Sequence, residues 1–403
     1  VTTSRPKTKP GTVTFVGGGP GDPGLLTLRA RDAIAAADVV VLSRPALDAV
    51  LGHAGGDAEV VDTNAADSSP VKAVLAAARA GKNVVRVFAG DPTVLCSFAD
   101  EADACAKAKI TYELVPGVSA AIAIPAYAGI PVTDKKVRTV HVVDVSDGGP
   151  EPDWSAANGA QQTLVLLNCA GGVGKAAAAL VEHGRRGDTP IAVTVAGATT
   201  SQRTVVSTLD TVERDAASLD GPVTAVVGDV VRLRERLSWW ESKPLFGWKV
   251  LVPRTKEQAA ALSDQLTSYG AIPVEVPTIA VEPPRTPQAV DRAIRGLVSG
   301  RYAWLALTSV NAVKAIREKI EELGLDSRAL AGVKVGCVGE QTAAAMIAWG
   351  IHPDLLPSNE QSSEGLLEDW PEYEAGYDAL DRVLLPRADI ATETLSAGLL
   401  ERG

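Results

Sequence analysis

At 403 residues the chain exceeds one ordinary domain and has room for two or three separate cores. Its hydrophobic share is 46%, that of a globular protein, and no run of about eighteen apolar residues could span a bilayer. The formal net charge of −10 argues against nucleic acid as a partner, so a polyanionic substrate must be met by local Arg, Lys and backbone N–H groups.

The opening VTTSRPKTKP carries Arg5, Lys7 and Lys9 without an apolar run before a cleavage site. It reads as a solvated tail over 1–10, with the cytoplasm as the default compartment. Four cysteines (Cys96, Cys105, Cys169, Cys337) and four histidines (His53, His141, His183, His352) lie far apart, without C-x-x-C, H-x-x-H or H-E-x-x-H spacing. Neither a zinc site nor a redox dithiol is predicted.

From Thr12 onward β-branched runs alternate with Ala-rich stretches, which predicts an α/β fold throughout. TVTFV (12–16), DVVVL (38–42), VVRVF (84–88) and TYELV (111–115) read as buried strands. SSPVKAVLAAARAG reads as a helix capped by Ser69, begun at Pro70 and stopped at Gly81. Further strands are expected at 139–144, 163–167, 191–195 and 223–228. LSWWESKPLFGWK (237–249) packs three tryptophans around a Pro-Leu-Phe-Gly turn and reads as a linker whose aromatics dock on one neighbour. A second α/β unit starts at KVLVPR (249–254), with strands PVEVP, WLALTS, KVGCVG and RVLLPR after it.

Three strings could carry chemistry in the front part. VGGGPGDPGLLT (16–27) follows a strand, where glycines let backbone approach a ligand closely. Pro20 and Pro23 remove donors that a dinucleotide fingerprint needs, and DVVVL ends in Ser43 instead of a ribose-binding acid. RVFAGDPTV (86–94) runs another strand into a Gly-Asp-Pro turn, which is either a ligand loop or an ordinary turn. VPGVSAAIAIPAYAGIPVT (115–133) has so little bulk that something must lie against it, whether a ligand or a packed helix.

In this order and spacing the strings, with the tail GPVTAVVGDVVRLRERLSWWES, resemble the S-adenosylmethionine-dependent tetrapyrrole methylases, specifically uroporphyrinogen-III C-methyltransferases, over 11–242. The resemblance implies two α/β lobes, 11–117 and 118–242, with the methyl donor folded between them. It also implies a homodimer through this domain. Carried over position by position, the cofactor contacts are Pro20, Gly90, Asp91, Val94, Ser119, Ala120, Asn168 and Gly197. Ala89 stands where the family has a glycine, and Asn168 where it has a methionine.

The tetrapyrrole side departs further. Leu42-Ser43-Arg44 replaces a Tyr-Asp-Arg whose acid is a proposed proton acceptor, and 60–67 offers no lysine for the proposed donor. TVLCSFAD (93–100) replaces a Phe and an Arg-Gly loop. Arg44 is the candidate substrate contact, with Lys135, Lys136, Arg138 and Arg203 the other cations in reach or merely solvated surface.

Strings over 248–403, among them VLVPRTKEQAAALSDQLTSYGA, WLALTSVNAV, GCVGEQTAAAM and SNEQSSEGLL, resemble uroporphyrinogen-III synthase. That family has two lobes, the first built from both chain ends, and this chain stops where the return crossing is expected. The resemblance implies a cofactor-free ring closure of hydroxymethylbilane in a cleft of backbone and hydroxyl donors. The matching positions are Thr308, Ser309, Gly339, Ser362 and Ser363, with Arg254 and Arg387 at strand ends. A strand-ending Thr-Ser or Ser-Ser is equally a helix cap.

The expectation is therefore a two-lobed methylase at 11–242, a linker at 243–248 and an incomplete synthase at 249–403. It would use S-adenosyl-L-methionine on tetrapyrrole substrates, with no nucleic-acid or membrane partner. Two rivals remain: a front half kept as a non-catalytic scaffold, and a nucleotide-dependent oxidoreductase.

Overall fold

The computed structural model describes residues 10–42, 48–63, 69–146, 151–159, 161–253, 256–276, 286–373, 382–386 and 393–402. The four front β-branched runs become β1 (Val13–Gly17), β2 (Val39–Leu42), β4 (Val84–Phe88) and β5 (Tyr112–Val115), and β3 (Glu59–Asp62), a largely exposed strand not among those runs, joins them. Between them lie α1 (Leu28–Ala35), α2 (Asp48–Leu51), α3 (Pro70–Arg79) and α4 (Phe98–Lys107). The strands form one parallel sheet in the order β3-β2-β4-β1-β5.

Alternation along each strand sends one set of side chains to each face. Phe15, Val39, Val84 and Phe88 pack with Val74 and Ala78 of α3 and Ala102 and Cys105 of α4. Val16, Val40, Val85 and Val87 pack with Ala30 and Ile34 of α1 on the other face. The chain leaves β1 toward β2 and leaves β4 toward β5, in opposite directions across the sheet. Such a switch between neighbouring strands opens a crevice at their carboxyl ends.

The signs read for α3 hold. Ser69 Oγ accepts from Lys72 N, Pro70 opens the first turn, and Gly81 takes φ 86° just past the end.

The second lobe holds α5 (Ala120–Tyr127), β6 (Thr139–Asp144), β7 (Gln162–Leu167), α6 (Val173–Glu182), β8 (Pro190–Val195), β9 (Arg203–Thr208), α7 (Val212–Asp215), β10 (Val223–Val227) and α8 (Arg234–Leu237). Its sheet order is β6-β7-β10-β8-β9, with only β6 and β7 parallel. Strand β9 was not read from the sequence: it is an edge, and its run RTVVST is too polar to look buried.

The tryptophan segment is ordered. Trp239 and Trp240 stack on Tyr127, and Trp240 also meets Phe246. Leu245 N and Gly247 N donate to Tyr269 O and Gly270 O, so the backbone of this stretch also meets the piece that follows. The chain behind it continues as β11 (Lys249–Val252), α9 (Lys256–Ser268) and β12 (Ile272–Glu275), a parallel pair with one helix.

Compactness divides the chain into Val1–Thr278 and Ile279–Gly403, so this β-α-β piece groups with the front unit. The second unit holds α10 (Pro287–Val298), β13 (Trp304–Leu307), α11 (Val310–Glu322), β14 (Lys334–Cys337), α12 (Glu340–Ala348), α13 (Ser363–Glu368), β15 (Val383–Leu384) and α14 (Thr394–Glu401). Its three strands are parallel in the order β14-β13-β15.

One buried ion pair braces the first lobe. Arg86 on β4 and Glu101 on α4 meet at 3.0 Å, with side chains 4% and 3% exposed. Ser97 Oγ donates to Glu101 Oε1, and the Arg86 guanidinium lies 4.4 Å over the Phe88 ring. The pair closes the base of the loop that joins β4 to α4. Breaking such a pair strands a charge, so Glu101→Ala should cost ~3–5 kcal/mol of unfolding free energy. The double replacement Arg86→Met/Glu101→Leu should cost much less, as read from urea midpoints.

Candidate functional site

Three loops leave the carboxyl ends of β1, β4 and β5 and meet backbone to backbone. A Cβ at Gly17 would fall 2.4 Å from Gly117 Cα, and one at Gly117 would fall 2.3 Å from Gly90 O. Gly19 and Gly90 exchange backbone hydrogen bonds of 3.2 and 2.7 Å, pairing the first glycine loop with the Gly-Asp-Pro loop. Gly90, at φ 68°, turns its bare face to the start of α5, where a Cβ would lie 3.3 Å from Ala120 N and 3.7 Å from Ser119 Cα. The second lobe adds its own loop: a Cβ at Gly21 would fall 2.8 Å from Gly197 O. Pro20 sits between these two contacts.

Val94 packs with Ala120, Ala121 and Leu167, the residue before Asn168. Among the carried-over cofactor positions, Pro20, Gly90, Asp91, Val94, Ser119, Ala120 and Gly197 are thus brought together by these loop contacts, while Asn168 is tied to them only as the residue after Leu167. Several of their side chains are already engaged. Ser119 Oγ caps α5 by accepting from Ala121 N at 3.2 Å. Asn168, at φ 57°, donates from Nδ2 to Asp144 Oδ1 at 3.0 Å.

Asp91 is nearly buried and spent on the loops themselves. Its Oδ1 accepts from Thr93 N at 2.8 Å and from the Thr93 hydroxyl, and Oδ2 accepts from Gly117 N at 2.8 Å. Burial alone would raise its pKa, but these hydrogen bonds outweigh it and hold the carboxyl below its ordinary value. What the loops leave for a ligand is backbone: the Ala120 amide opens a helix and has no partner within it.

Gly17, Asp22, Gly117 and Tyr127 lie within the strings read above, but no local pattern singles them out. Gln202 lay outside every string. Its Oε1 accepts from Ala198 N at 2.8 Å beside Gly197, and only the three-dimensional fold brings it there. Ser43 and Arg44 lie outside the described residues, while Lys135, Lys136, Arg138 and Arg203 are all exposed.

In the second unit, Val338 N donates to Leu307 O, setting Thr308 and Ser309 beside Gly339. Ser309 Oγ caps α11 through Ala312 N, and Ser362 Oγ caps α13 through Gly365 N. Gln361 Oε1 accepts from Glu340 N, bringing Ser362 and Ser363 to the start of α12, which Gly339 precedes. The capping alternative is therefore realised for both serines. The N-termini of α11 and α12 follow neighbouring strand ends, and Gln361 ties the start of α13 to that of α12, an arrangement that favours anions. Arg254 and Arg387 lie outside the described residues.

Among the described residues no cluster of His, Cys, Asp and Glu could hold a metal ion, and no helix is long and apolar enough to cross a membrane.

The family profile Tetrapyrrole (Corrin/Porphyrin) Methylases matches residues 12–213, and that of Uroporphyrinogen-III synthase HemD matches 260–403. A porphyrin biosynthesis protein HemD from Ruminiclostridium josui is 34% identical over 363 residues, covering 86% of this chain and 71% of that one. A uroporphyrinogen-III C-methyltransferase from Bacillus subtilis (strain 168) is 30% identical over 387 residues, covering 91% and 78%. The crystal structure of cobalt precorrin-4 methyltransferase superposes with TM-score 0.51 at 23% identity, over 57% of this chain and 99% of that one, which supports the fold.

The Asp91 geometry sets a pH dependence. A carboxyl with a depressed folded pKa stabilises the protein above its unfolded value, about 3.9. That stabilisation is lost as pH falls through the folded value. Asp91→Asn should therefore lower the melting temperature at pH 7 and leave a difference from wild type that shrinks below about pH 4. Thermal unfolding of both proteins across pH 2.5–7, in ~0.5-unit steps, reads this directly.

Proposed function

Because the chain belongs to the tetrapyrrole (corrin/porphyrin) methylases, we propose that it C-methylates uroporphyrinogen III from S-adenosylmethionine and carries a uroporphyrinogen-III synthase segment behind that domain. The carrying observation is the cradle at Gly90, walled by backbone and small side chains from both lobes. A Cβ at Gly90 would lie 3.3 Å from the Ala120 amide nitrogen, so glycine at this position leaves that donor uncrowded for S-adenosylmethionine.

In this reading Gly90, Ser119, Ala120 and Gly197 bind through backbone, Val94 with Leu167 supplies an apolar wall, and Pro20 closes the first loop over the ligand. Asp91 shapes the cradle from behind. When bound, S-adenosylmethionine supplies an electrophilic methyl group. The protein's share is to align and desolvate the reacting carbon, which is where most of the rate gain arises for such a transfer. At the synthase segment Thr308, Ser309, Gly339, Ser362 and Ser363 orient substrate carboxylates by backbone N–H and hydroxyl groups. A homodimer formed through the methylase part and a cytoplasmic location complete the proposal.

A second reading has one observation in its favour. Ser43 and the lysine-free stretch 60–67 leave the proposed proton acceptor and donor unfilled, as a scaffold domain would.

Calorimetry with S-adenosylmethionine and a methyl-transfer assay with uroporphyrinogen III separate the two. The expected result is clear binding with slow turnover, since general acid–base help is worth about 10²–10⁴ in rate. Gly90→Val should weaken binding at least ~10-fold, because valine is strained in the left-handed region and would cover the Ala120 amide. Absence of binding by the wild type would leave the scaffold reading.

A further inference from the structure

Residues 234–246 touch both halves of the cradle at once. Arg234 donates to Ala128 O and pairs with Glu241 at 2.5 Å, while Leu237 O lies 2.6 Å from where a Cβ at Gly129 would be. The segment thus covers the end of α5. There Tyr127 stacks on Trp239 and Trp240, with ring centroids 5.2 and 4.8 Å away. Its hydroxyl donates to Asp22 Oδ2 at 2.6 Å, in the first glycine loop. Burial and the acid partner push this phenol well above its ordinary pKa, so the donor stays protonated.

The other half is held by a separate chain of bonds. Trp240 Nε1 donates to Thr199 O at 2.8 Å. Glu241 Oε1 accepts from Gln202 Nε2 at 2.7 Å and from Thr204 Oγ1 at 2.6 Å, and Gln202 passes the constraint to Ala198 N. Ala196 and Ala198 flank Gly197 at φ 48° and 59°, a conformation alanine does not choose unaided. The outer side of the segment rests on the next piece: a Cβ at Gly270 would lie 3.0 Å from Lys243 Cβ and from Phe246 Cα.

We propose that this segment is a clasp that sets the two cofactor loops, with Tyr127 positioning 16–27 through Asp22 and Trp240, Glu241 and Gln202 positioning 196–202. Packing alone would need only apolar surface, and each link to a loop is a directed hydrogen bond from a nearly buried group. That the loops hold S-adenosylmethionine rests on the function proposed above.

Tyr127→Phe and Trp240→Phe each delete one donor and keep an aromatic ring. In hydrogen exchange on the full chain, Tyr127→Phe should speed exchange at Gly18, Gly19 and Gly24 and spare Ala198. Trp240→Phe should do the reverse. Each should weaken S-adenosylmethionine about three- to tenfold, the effect of one net hydrogen bond. Unchanged exchange in both loops overturns the clasp. So does a lowered melting temperature with wild-type affinity, the mark of a purely structural role. If the wild type binds no S-adenosylmethionine while exchange shifts as expected, the clasp stands and the methyl-donor reading falls.

Discussion

Everything at the front site depends on three backbones touching where β1, β4 and β5 end. The spacing between Gly17, Gly90 and Gly117 leaves no room for a methyl group at two of the three positions, and the third has φ 68°. Because Gly117 comes this close, its amide reaches Asp91 Oδ2, and the same carboxylate can then organise Thr93. The order of cause runs from absent side chains to close approach, then to the carboxylate, and last to the open amide at Ala120. A single Cβ at Gly117 would undo each later step.

This order explains what could be read from the sequence. Most strands follow from β-branched runs, which made the α/β class legible, and the glycine strings mark close approach of backbones; the two lobes came only with the family resemblance. The partners were not legible. Asp91 finds Gly117, Asp22 finds Tyr127, and Arg86 finds Glu101 through the fold, with no local pattern to announce them. Hydroxyl roles were ambiguous for a different reason. Ser119, Ser309 and Ser362 each sit one residue before a helix, where capping competes with ligand binding for the same oxygen.

The departures from the family pattern also look different in three dimensions. Ala89 is exposed, so its methyl group is not packed between the loops. Asn168 holds φ 57°, and asparagine is among the few residues other than glycine that enter this region readily. Its side chain then locks the turn to Asp144.

Reliance on backbone also suits the charge of the molecule. With a net charge of −10, an acidic substrate gains little from the overall field, and the cations named near the front site are exposed. Fixed N–H groups at loop and helix starts attract anions without adding titratable charge, and they need no reorganisation when a ligand arrives. Such donors act only if their loops are held still. Left-handed alanines beside Gly197 cost roughly 1–2 kcal/mol each, an amount that a buried hydrogen bond to Gln202 and one from the Thr199 hydroxyl to Ala196 O are of a size to offset. The chemistry of this site therefore resides as much in the residues that brace its loops as in those that face the ligand.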